Sequence, residues 1–477
     1  MEDRFEGERL KKLEALRARG LDPYGSRLDD ITPIEKAVAD FQEGREVRIA
    51  GRVLAIRNFG KAAFVDVHDS TGKLQAYIRR DKIGDEAFEI FGLLDLGDVV
   101  AVDGALGKTR TGENTLFATN LRMLSKSLLP PPEKWHGLQN VEARYRQRYV
   151  DLFSNPDVMR TFRRRTRIIA SIRRYLDERG FMEVETPMMQ AIPGGAAARP
   201  FITHHNTLDM DLYMRISPEL FLKRLLVGGM ERVYEINRNF RNEGLSTRHN
   251  PEFTMMEVYQ AYGDYNAMMD LTEGLLGVLV DEIHGAREIP FGDRKLNFAA
   301  PWARRPWNDL LKEYAGVGLE DEAGLRARAR ELGRDPTGDK AAVADRLFEA
   351  CVEQQLVQPT FVIDYPLALC PLTKASPRNP ELCERFELYI SGMECANAYT
   401  ELNDPLDQEQ RFRQQIEQTE GEVRTVDEDF VRALKYGMPP AGGLGIGIDR
   451  IVMLLTDSAS IRDVILFPIL RNVKEEE

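Results

Sequence analysis

The chain has 477 residues, of which 43% are hydrophobic and 30% are charged, as in a globular protein of two or three domains. No run of about 18 apolar residues occurs, so we expect no transmembrane helix and no membrane partner. The first residues, Met1–Arg4, are charged and do not resemble a secretory signal. The net charge of −12 argues by itself against a nucleic-acid partner.

The four cysteines are far apart and form no CxxC pair. This pattern is typical of buried, reduced thiols and argues against a zinc site or a disulfide framework. We therefore expect a cytoplasmic protein.

Residues 1–44 are predicted to form a helical arm, because Leu10, Leu13 and Leu16 recur near helical spacing among charges. Residues 45–126 alternate as strands do, with Gly and Asp at the turns. They contain five such strands and one helix after the third, which is the order of a five-stranded OB β-barrel. OB barrels bind oligonucleotides on the face of strands 2 and 3, and the alternative is a small barrel without a nucleic-acid role.

A proline-rich segment, residues 127–143, is predicted to be a linker. Residues 144–477 follow as a second domain, in which helices and strands alternate and residues 290–359 form a mainly helical insertion. The predicted fold class is therefore α+β. Ten arginines lie between Arg144 and Arg174. They form either a solvated helix face with intrahelical ion pairs or a surface for phosphate or subunit contact.

Two neighbouring strands in this second domain carry the strongest functional signal. Residues two apart in a strand share a face. One face of the second strand is predicted to carry Phe253, Met255, Glu257, Tyr259 and Ala261. The matching face of the first is predicted to be wholly polar, with Glu235, Asn237, Asn239, Arg241 and Glu243. A polar face of this kind lines either a wet pocket or an exposed sheet with cross-strand ion pairs. If this face lines a pocket, the pocket fits a nucleotide. Arg241 would bind a phosphate, Glu243 would bind the edge of adenine, and Phe253 would stack on the adenine ring.

Two further segments extend this interpretation. Glu387 and Glu394 stand on either side of a tight turn at Gly392 and are candidates to hold Mg²⁺ between phosphates, although acids are common on strand edges. Residues 442–450 are glycine-rich and end with Arg450 in the predicted first turn of a helix, where a phosphate is favoured. A dinucleotide-binding GxGxxG motif is the alternative, but its spacing is not matched.

These two segments and the strand pair resemble motifs 2 and 3 of the class II aminoacyl-tRNA synthetases. Gly180–Pro187 resembles motif 1, which lies at the dimer interface of that class. A barrel before the catalytic domain is typical of subclass IIb, and over nearly its whole length the chain is similar to the lysyl-tRNA synthetases. The supporting runs are Lys134–Leu138, Ile192–Ala196, Arg199–Asn206 and Glu401–Asp404.

The resemblance implies a class II catalytic domain with a mainly antiparallel sheet flanked by helices, and a homodimer. It implies that the enzyme activates L-lysine with ATP, uses Mg²⁺ and charges tRNA(Lys). Arg241 and Arg450 are the implied catalytic residues. The implied ATP-binding residues are Arg241, Glu243, His249, Asn250, Phe253, Glu387, Glu394 and Arg450, of which Glu387 and Glu394 hold the metal. The implied lysine-binding residues are Gly195, Glu219, Arg241, Glu257, Tyr259, Asn397, Tyr399 and Glu401. The implied anticodon-binding residues are Arg57, Phe64 and Gln75.

Paired carboxylates at Glu257 and Glu401 agree with a lysine side chain, whose buried ammonium needs compensation. None of the residues assigned to the pocket floor is basic, which argues against an aspartate substrate. The chain departs from bacterial members of the family at Ala396, Ala398 and Tyr399, where glycines and a phenylalanine are usual, so we expect an effect on fine specificity only.

Three other functions are alternatives for this chain. The first is an aspartyl- or asparaginyl-tRNA synthetase, because these enzymes belong to the same subclass. A paralogue makes lysyl-adenylate but lysylates a protein, and such relatives usually lack the barrel. A non-catalytic RNA-binding protein disagrees with the intact set of ATP residues. A class I synthetase is excluded because no HIGH-like segment occurs.

Overall fold

The computed structural model of the protein describes residues 2–132, 138–196, 198–418 and 426–471. Most of the run Lys134–Leu138 lies outside the described residues. The chain divides into two compact units, Met1–Met159 and Arg160–Glu477. No described helix is both long and apolar enough to cross a membrane.

The first unit contains two N-terminal helices, a β-barrel with one helix, and two short helices. These are α1 (Glu2–Ala18), α2 (Ile34–Ala39), β1 (Glu46–Asn58), β2 (Ala62–His68), β3 (Lys73–Arg79), α3 (Arg80–Gly92), β4 (Val99–Lys108), β5 (Asn114–Ser125), α4 (Val141–Arg146) and α5 (Arg148–Ser154). The barrel is closed in the order β1-β2-β3-β5-β4, with α3 after the third strand, as predicted. Alternate residues of β2, Ala63, Val65 and Val67, fill its core.

Residues 144–159, predicted as the start of the catalytic domain, lie in the first unit. Contacts made by α5 show why. Its Phe153 ring lies 4.5 Å below the guanidinium carbon of Arg52, a residue of β1. The buried pair Arg148–Asp151, at 2.5 Å, braces the same helix.

The second unit consists of one large sheet, two small sheets and the helices around them. Its elements are α6 (Pro156–Asp177), β6 (Met182–Glu183), β7 (Met189–Gln190), β8 (Ile202–His205), β9 (Met210–Met214), α7 (Glu219–Val227), β10 (Arg232–Phe240), β11 (Glu252–Ala261), α8 (Tyr265–His284), β12 (Glu288–Phe291), β13 (Arg294–Asn297), β14 (Ala303–Pro306), α9 (Trp307–Ala315), α10 (Glu322–Glu331), α11 (Lys340–Cys351), β15 (Thr360–Pro366), β16 (Leu382–Ile390), β17 (Met393–Thr400), α12 (Pro405–Gln418), α13 (Glu428–Lys435), β18 (Ala441–Gly447), α14 (Ile448–Thr456) and α15 (Ile461–Val464).

The large sheet has the order β14-β15-β16-β17-β18-β11-β10-β6 and is antiparallel except at its two outer pairs. The α+β fold class is thus confirmed. Apolar residues of α8 and α14 pack against one face of the sheet in the main core. The central order β17-β18-β11 brings together three of the segments singled out in the sequence, although long stretches of chain separate them.

The predicted helical insertion, residues 290–359, differs from the structure at its start. A hairpin of β12 and β13 covers residues 288–297, and β14 joins the large sheet beside β15. Helices begin only at Trp307 and end at Cys351. The strands were missed because they are four residues long, too short to establish a period of two.

The arginine-rich helix α6 makes ion pairs to other elements instead of only within itself. Arg165 pairs with Asp449 at 2.6 Å, and Arg173 pairs with Glu183 at 2.9 Å. Arg174 also forms an ion pair, with Glu282 of α8. At least these three arginines therefore fix α6 to the rest of the unit. The sequence had suggested either intrahelical ion pairs on a solvated face or a surface for phosphate or subunit contact, and neither interpretation included ion pairs to other elements.

Candidate active site

A cavity of about 860 Å³ opens on the large sheet, a size typical of small-molecule sites. Most of the residues singled out in the sequence for this domain line it. These are Gly195, Glu219, Arg241, Glu243, His249, Asn250, Phe253, Glu257, Tyr259, Glu394, Asn397, Tyr399 and Arg450. Glu387 and Glu401 are not among its lining residues.

Strand β11 supplies the floor of the cavity, as its alternation predicts. Phe253, Met255, Glu257 and Tyr259 all line the cavity. Each is two residues from the next, so the pleat directs them to the same face. Tyr259 and Glu257 are buried, whereas Phe253 at the start of the strand is only half-buried.

The prediction that Arg241 and Glu243 continue the strand face was wrong. β10 ends at Phe240, and both residues belong to the loop that follows. The Arg241 amide still donates a 2.8 Å hydrogen bond to the Pro251 carbonyl, which extends the register of β10 and β11 by one residue. The pairing stops there because a proline has no amide hydrogen to donate in return. The Arg241 guanidinium still lies 5.2 Å from the Phe253 ring centroid, and its buried Nε has no hydrogen-bond partner among the described residues. This arrangement leaves a cation with a free donor beside an aromatic face.

The polar residues of β10 itself, Glu235, Asn237 and Asn239, do not line the cavity. Glu235 is buried and pairs with Arg215 at 2.6 Å, and it also accepts a 2.7 Å hydrogen bond from Thr186. This buried ion pair fixes β10 to the segment before α7. Neither interpretation describes this face, because the ion pair is buried and joins β10 to a loop, and the cavity begins only past the end of the strand.

The anion-binding end of the cavity lies where β18 passes into α14. Arg450 is in the first turn of α14, as predicted, and its Nη2 lies 3.1 Å from His249 Nε2. Its Nη1 lies 3.4 Å from Glu394 Oε2. Asp449 accepts a 2.7 Å hydrogen bond from the Thr254 amide and so joins the helix start to β11. A phosphate here would meet a guanidinium, an imidazole and a helix N-terminus.

The two predicted metal ligands lie close enough to influence each other. Partial burial and the charge of Glu387 raise the pKa of Glu394. Glu387 Oε2 accepts hydrogen bonds from the hydroxyls of Tyr365, at 2.8 Å, and Tyr389, at 2.7 Å. Its other oxygen, Oε1, pairs with Arg385. Among the described residues no cluster of three or more metal-ligating side chains occurs, so the protein offers a pair of carboxylates and not a full cage.

The opposite end of the cavity is acidic, and Glu257 is its centre. Glu257 Oε1 accepts a 2.7 Å hydrogen bond from Ser217, and Oε2 accepts a 3.1 Å hydrogen bond from Tyr259. Burial and the nearby charge of Glu219 raise the pKa of Glu257 to about 7. A cationic ligand would relieve the cost of burying this carboxylate.

Two other carboxylates of the acidic end, Glu219 and Glu401, form ion pairs with a buried lysine. Lys223 Nζ lies 2.6 Å from Glu219 Oε1 and also pairs with Glu401 Oε2. Glu401 Oε1 is buried and has no hydrogen-bond donor among the described residues. None of the residues assigned to the pocket floor from the sequence is basic, but Lys223, which was not among them, is a buried lysine between two of its carboxylates.

A glycine makes room for this arrangement. A Cβ atom on Gly443 would lie 1.8 Å from Glu401 Oε1 and 2.7 Å from the Tyr259 ring. No side chain fits there without displacing both residues. The absence of a side chain at Gly443 thus allows the acidic end to pack close against β18.

Comparison with known proteins agrees with this geometry. The family model of class II tRNA synthetases (D, K and N) matches residues 140–471, and that of the OB-fold nucleic acid binding domain matches residues 47–124. The chain belongs to the class II tRNA synthetases.

Curated relatives of this synthetase match it over nearly their whole length. The lysine–tRNA ligase of Pelotomaculum thermopropionicum is 53% identical over 97% of this chain and 94% of the relative. That of Carboxydothermus hydrogenoformans is 53% identical over 97% of both chains. That of Dehalococcoides mccartyi is 49% identical over 100% of this chain and 99% of the relative.

The barrel of the synthetase brings its three predicted base-binding residues to one face. Arg57 Nη2 donates hydrogen bonds to Gln75 Oε1 at 2.6 Å and to Asp66 Oδ1 at 2.8 Å. The Phe64 ring is stacked on Tyr77, with centroids 4.6 Å apart. Cross-strand register between β1, β2 and β3 produces the cluster, because Arg57 faces Phe64 and Phe64 faces Tyr77.

Two charged residues of the synthetase site were missed in the sequence. Arg385 lies two positions before Glu387 on β16, and its Nε donates a 3.1 Å hydrogen bond to Asn397 Oδ1. Glu387 and Tyr389 share a face of β16, and the same alternation, continued two residues toward the N-terminus, predicts Arg385 on that face. Lys223 follows Glu219 by four residues, a spacing that signals an ion pair once both are assigned to one helix.

The departure at residues 396–399 has a visible consequence. The Tyr399 hydroxyl donates a 2.7 Å hydrogen bond to Glu219 Oε2, which a phenylalanine cannot do. Ala398 is fully buried in the main core, away from the cavity. The tyrosine therefore adds a polar contact to the acidic end and not only bulk.

Proposed function

We propose that this synthetase activates L-lysine with ATP to lysyl-adenylate and pyrophosphate, and then transfers the lysyl group to the 3′-OH of tRNA(Lys), releasing AMP. The single observation that carries the proposal is the polarity of the cavity. One end presents Arg241, His249 and Arg450 to an anion, and the other presents buried carboxylates to a cation. The lysine–tRNA ligase relatives support the same activity.

The anion-binding end suits ATP. Following the resemblance, Phe253 stacks on adenine, Glu243 accepts from its amino group, and His249 and Arg450 contact the γ-phosphate. Asn250 has a buried, unpaired Oδ1 among the described residues and lines the same region. Arg241 bridges the lysine carboxylate and the α-phosphate, which suits its free Nε donor.

The lysine end divides between two groups of the substrate. Glu257 receives the ε-ammonium, with Ser217 and Tyr259 fixing its two oxygens. Glu219 and the Gly195 backbone receive the α-ammonium. Asn397, held by Arg385, helps to orient the carboxylate.

Activation needs no covalent enzyme intermediate. The lysine carboxylate attacks the α-phosphorus in line and pyrophosphate leaves. Arg241 and Arg450 neutralise charge that develops on the phosphate oxygens, and the cavity holds the two substrates at reacting distance. The adenylate then loses AMP as the terminal ribose 3′-OH of the tRNA attacks the lysyl carbonyl.

Glu387 and Glu394 fit Mg²⁺, because both are carboxylates, and because burial together with the charge of Glu387 raises the pKa of Glu394, a cost that a cation would relieve. Magnesium commonly binds through one or two carboxylates together with substrate phosphates, and here it would supply charge neutralisation of the triphosphate. The tyrosines that donate to Glu387 orient that side chain.

We assign the anticodon to the barrel face of Arg57, Phe64 and Gln75. Phe64→Ala should lower kcat/KM for tRNA(Lys) by about 10- to 100-fold, because stacking of one base on an aromatic ring contributes about 1–3 kcal/mol. Lysine-dependent pyrophosphate exchange should stay normal, since the adenylate forms in the other unit. Phe64→Trp is the matched control and should keep charging near normal. An Ala variant that charges tRNA as well as the unchanged protein contradicts the assignment.

A homodimer is the proposed assembly, with the segment resembling motif 1 at the interface. Three apolar side chains are exposed in or near that segment, Met182, Met189 and Ile202, and a partner subunit would cover them. Light scattering after size exclusion should give twice the chain mass of 54.3 kDa. A mass of one chain at micromolar concentration contradicts this proposal.

A panel of amino acids in the pyrophosphate exchange assay tests the proposed function. Lysine should support exchange, and aspartate and asparagine should not, because the acidic end rejects a carboxylate and leaves Glu257 uncompensated with an amide. Exchange with aspartate or asparagine in place of lysine would overturn the proposed substrate.

A further inference from the structure

Two of the four cysteines, Cys370 and Cys383, lie next to each other at the edge of the cavity. Cys383 belongs to β16, and Cys370 lies in the segment between β15 and β16. The Cys383 thiol is within hydrogen-bond reach of the Cys370 sulfur and of the Tyr365 carbonyl, the latter at 3.3 Å. Both cysteines are free thiols and are buried in the same apolar cluster. The fold thus places a second thiol beside the first, and the proposed reaction uses neither.

The two thiols differ in their access to the cavity. Cys370 is among the residues that line it, together with its neighbours from Leu369 to Thr373, whereas Cys383 is not. Arg411 fixes this part of the wall, because its guanidinium donates a 2.8 Å hydrogen bond to the Thr373 carbonyl. A small uncharged molecule that enters the cavity therefore meets Cys370 before it meets Cys383.

A guanidinium stabilises the anionic form of the thiol that lines the cavity. Arg385 Nη1 donates a 3.2 Å hydrogen bond to Cys370 Sγ. Burial raises the pKa of Cys370, but the hydrogen bond from Cys383 and the charge of Arg385 outweigh this effect and lower that pKa. Burial and the neighbouring Cys370 raise the pKa of Cys383, so the second thiol keeps its proton. A thiolate beside a cation, with a protonated thiol next to it, is typical of a redox-active pair.

The same guanidinium holds two residues of the proposed reaction. Arg385 Nε donates a 3.1 Å hydrogen bond to Asn397 Oδ1, and Nη2 pairs with Glu387. A chemical change at Cys370 therefore acts, through Arg385, on the side chain that helps to orient the lysine carboxylate and on one of the proposed metal ligands.

We propose that Cys370 and Cys383 form a peroxide-sensitive dithiol site that opens on the cavity and, once oxidised, stops adenylate formation. Its effect on activity rests on the proposed function, whereas formation of the disulfide does not. The Cys370 thiolate attacks one oxygen of hydrogen peroxide, so that an S–O bond forms, the O–O bond breaks and hydroxide leaves. The Cys383 sulfur then attacks the sulfur of this sulfenic acid. An S–S bond forms, the oxygen leaves as water with the Cys383 proton, and two electrons have passed from the thiol pair to the peroxide.

Treatment of the full-length protein with hydrogen peroxide, followed by lysine-dependent pyrophosphate exchange and peptide mass mapping, tests the proposal. Exchange should fall by about 10- to 100-fold, because Arg385 loses its anionic partner and a small misplacement near the reacting groups has an effect of this size. The map should show a disulfide between Cys370 and Cys383, and dithiothreitol should both remove it and restore exchange. Recovery with dithiothreitol distinguishes this site from oxidised methionine, which needs a reductase.

Four serine variants, each compared with its own untreated sample, locate the site. Cys370→Ser should resist peroxide, and Cys383→Ser should give a sulfenic acid at Cys370 that dimedone labels. Cys395→Ser and Cys351→Ser are the matched controls and should be as sensitive as the unchanged protein. Cys395 lines the same cavity, but its thiol donates a 3.4 Å hydrogen bond to the Met393 carbonyl, and Cys351 does not line the cavity.

Three results would overturn the proposal. The first is an inactivated protein in which Cys370 and Cys383 are still free thiols, and the second is full exchange by protein that contains the disulfide. The third is a Cys370→Ser protein that loses exchange as the unchanged protein does. Where that variant does not fold, the peptide map of the unchanged protein decides. Absence of lysine-dependent exchange before any treatment refutes the proposed function instead, and the map then still tests whether the disulfide forms.

Discussion

Replacing Arg241 by alanine should reduce lysine-dependent pyrophosphate exchange by at least about 1,000-fold, beyond ordinary detection. The guanidinium lies over Phe253 and keeps a buried Nε without a partner among the described residues, so it is set up to bind an anion. In the proposed reaction it contacts both the attacking carboxylate and the α-phosphate. Its loss therefore removes positioning and charge neutralisation together.

Arg238→Ala provides the matched control for this experiment. Arg238 is three residues earlier, is partly exposed and pairs only loosely with Glu252, at 3.6 Å. We expect exchange within about twofold of normal, because surface ion pairs contribute little. Near-normal exchange in a folded Arg241→Ala protein would contradict the role given to Arg241.

Replacing Glu257 by glutamine should lower kcat/KM for lysine by about 100- to 1,000-fold, with the ATP KM unchanged. The buried ammonium of lysine would lose its charged partner, and breaking one half of a buried pair costs about 3–5 kcal/mol. Glu252→Gln on the same strand is the control, since Glu252 is 43% exposed and lies outside the cavity lining. An unchanged lysine KM in Glu257→Gln would show that another group receives the ε-ammonium.

The same residue predicts a pH dependence. The pKa of Glu257 is raised to about 7, so below that pH the free carboxyl holds a proton that lysine must displace. The lysine KM should therefore decrease as the pH rises from 6 to 8 and then level off. Steady-state exchange across this range should give a shallower profile in Glu257→Gln, where Glu401, whose pKa burial raises to about 8, still titrates. A lysine KM that does not change with pH in the unchanged protein contradicts the raised pKa.

Local patterns in the sequence were enough to predict several parts of the molecule. The period of two in β2 and β11 gave both the barrel strands and the cavity floor, because a pleated strand directs alternate side chains to one face. The glycine run before Arg450 predicted a helix start at an anion site, and the structure has α14 there. The chain separates these segments widely, so their assembly in one cavity followed from the family resemblance and not from the spacing.

What was missed depends on contacts between elements. β10 ends before Arg241 because the residue opposite it, Pro251, has no amide hydrogen to complete the pair, and the strand period of β10 alone does not reveal this. The place of Lys223 depends on the packing of α7 against β10 and β11, and its ion pair with Glu401 joins segments that lie far apart in the chain. The boundary at residue 159 likewise reflects packing of α5 on the barrel strand that contains Arg52.

Charging of tRNA with radiolabelled lysine by the purified full-length protein shows whether the protein is a lysine-specific tRNA ligase. We expect tRNA(Lys) to accept lysine in an ATP- and Mg²⁺-dependent reaction, and we expect no transfer of aspartate or asparagine. Formation of lysyl-adenylate without lysylation of tRNA(Lys) would contradict it and would favour transfer to another acceptor, such as a protein.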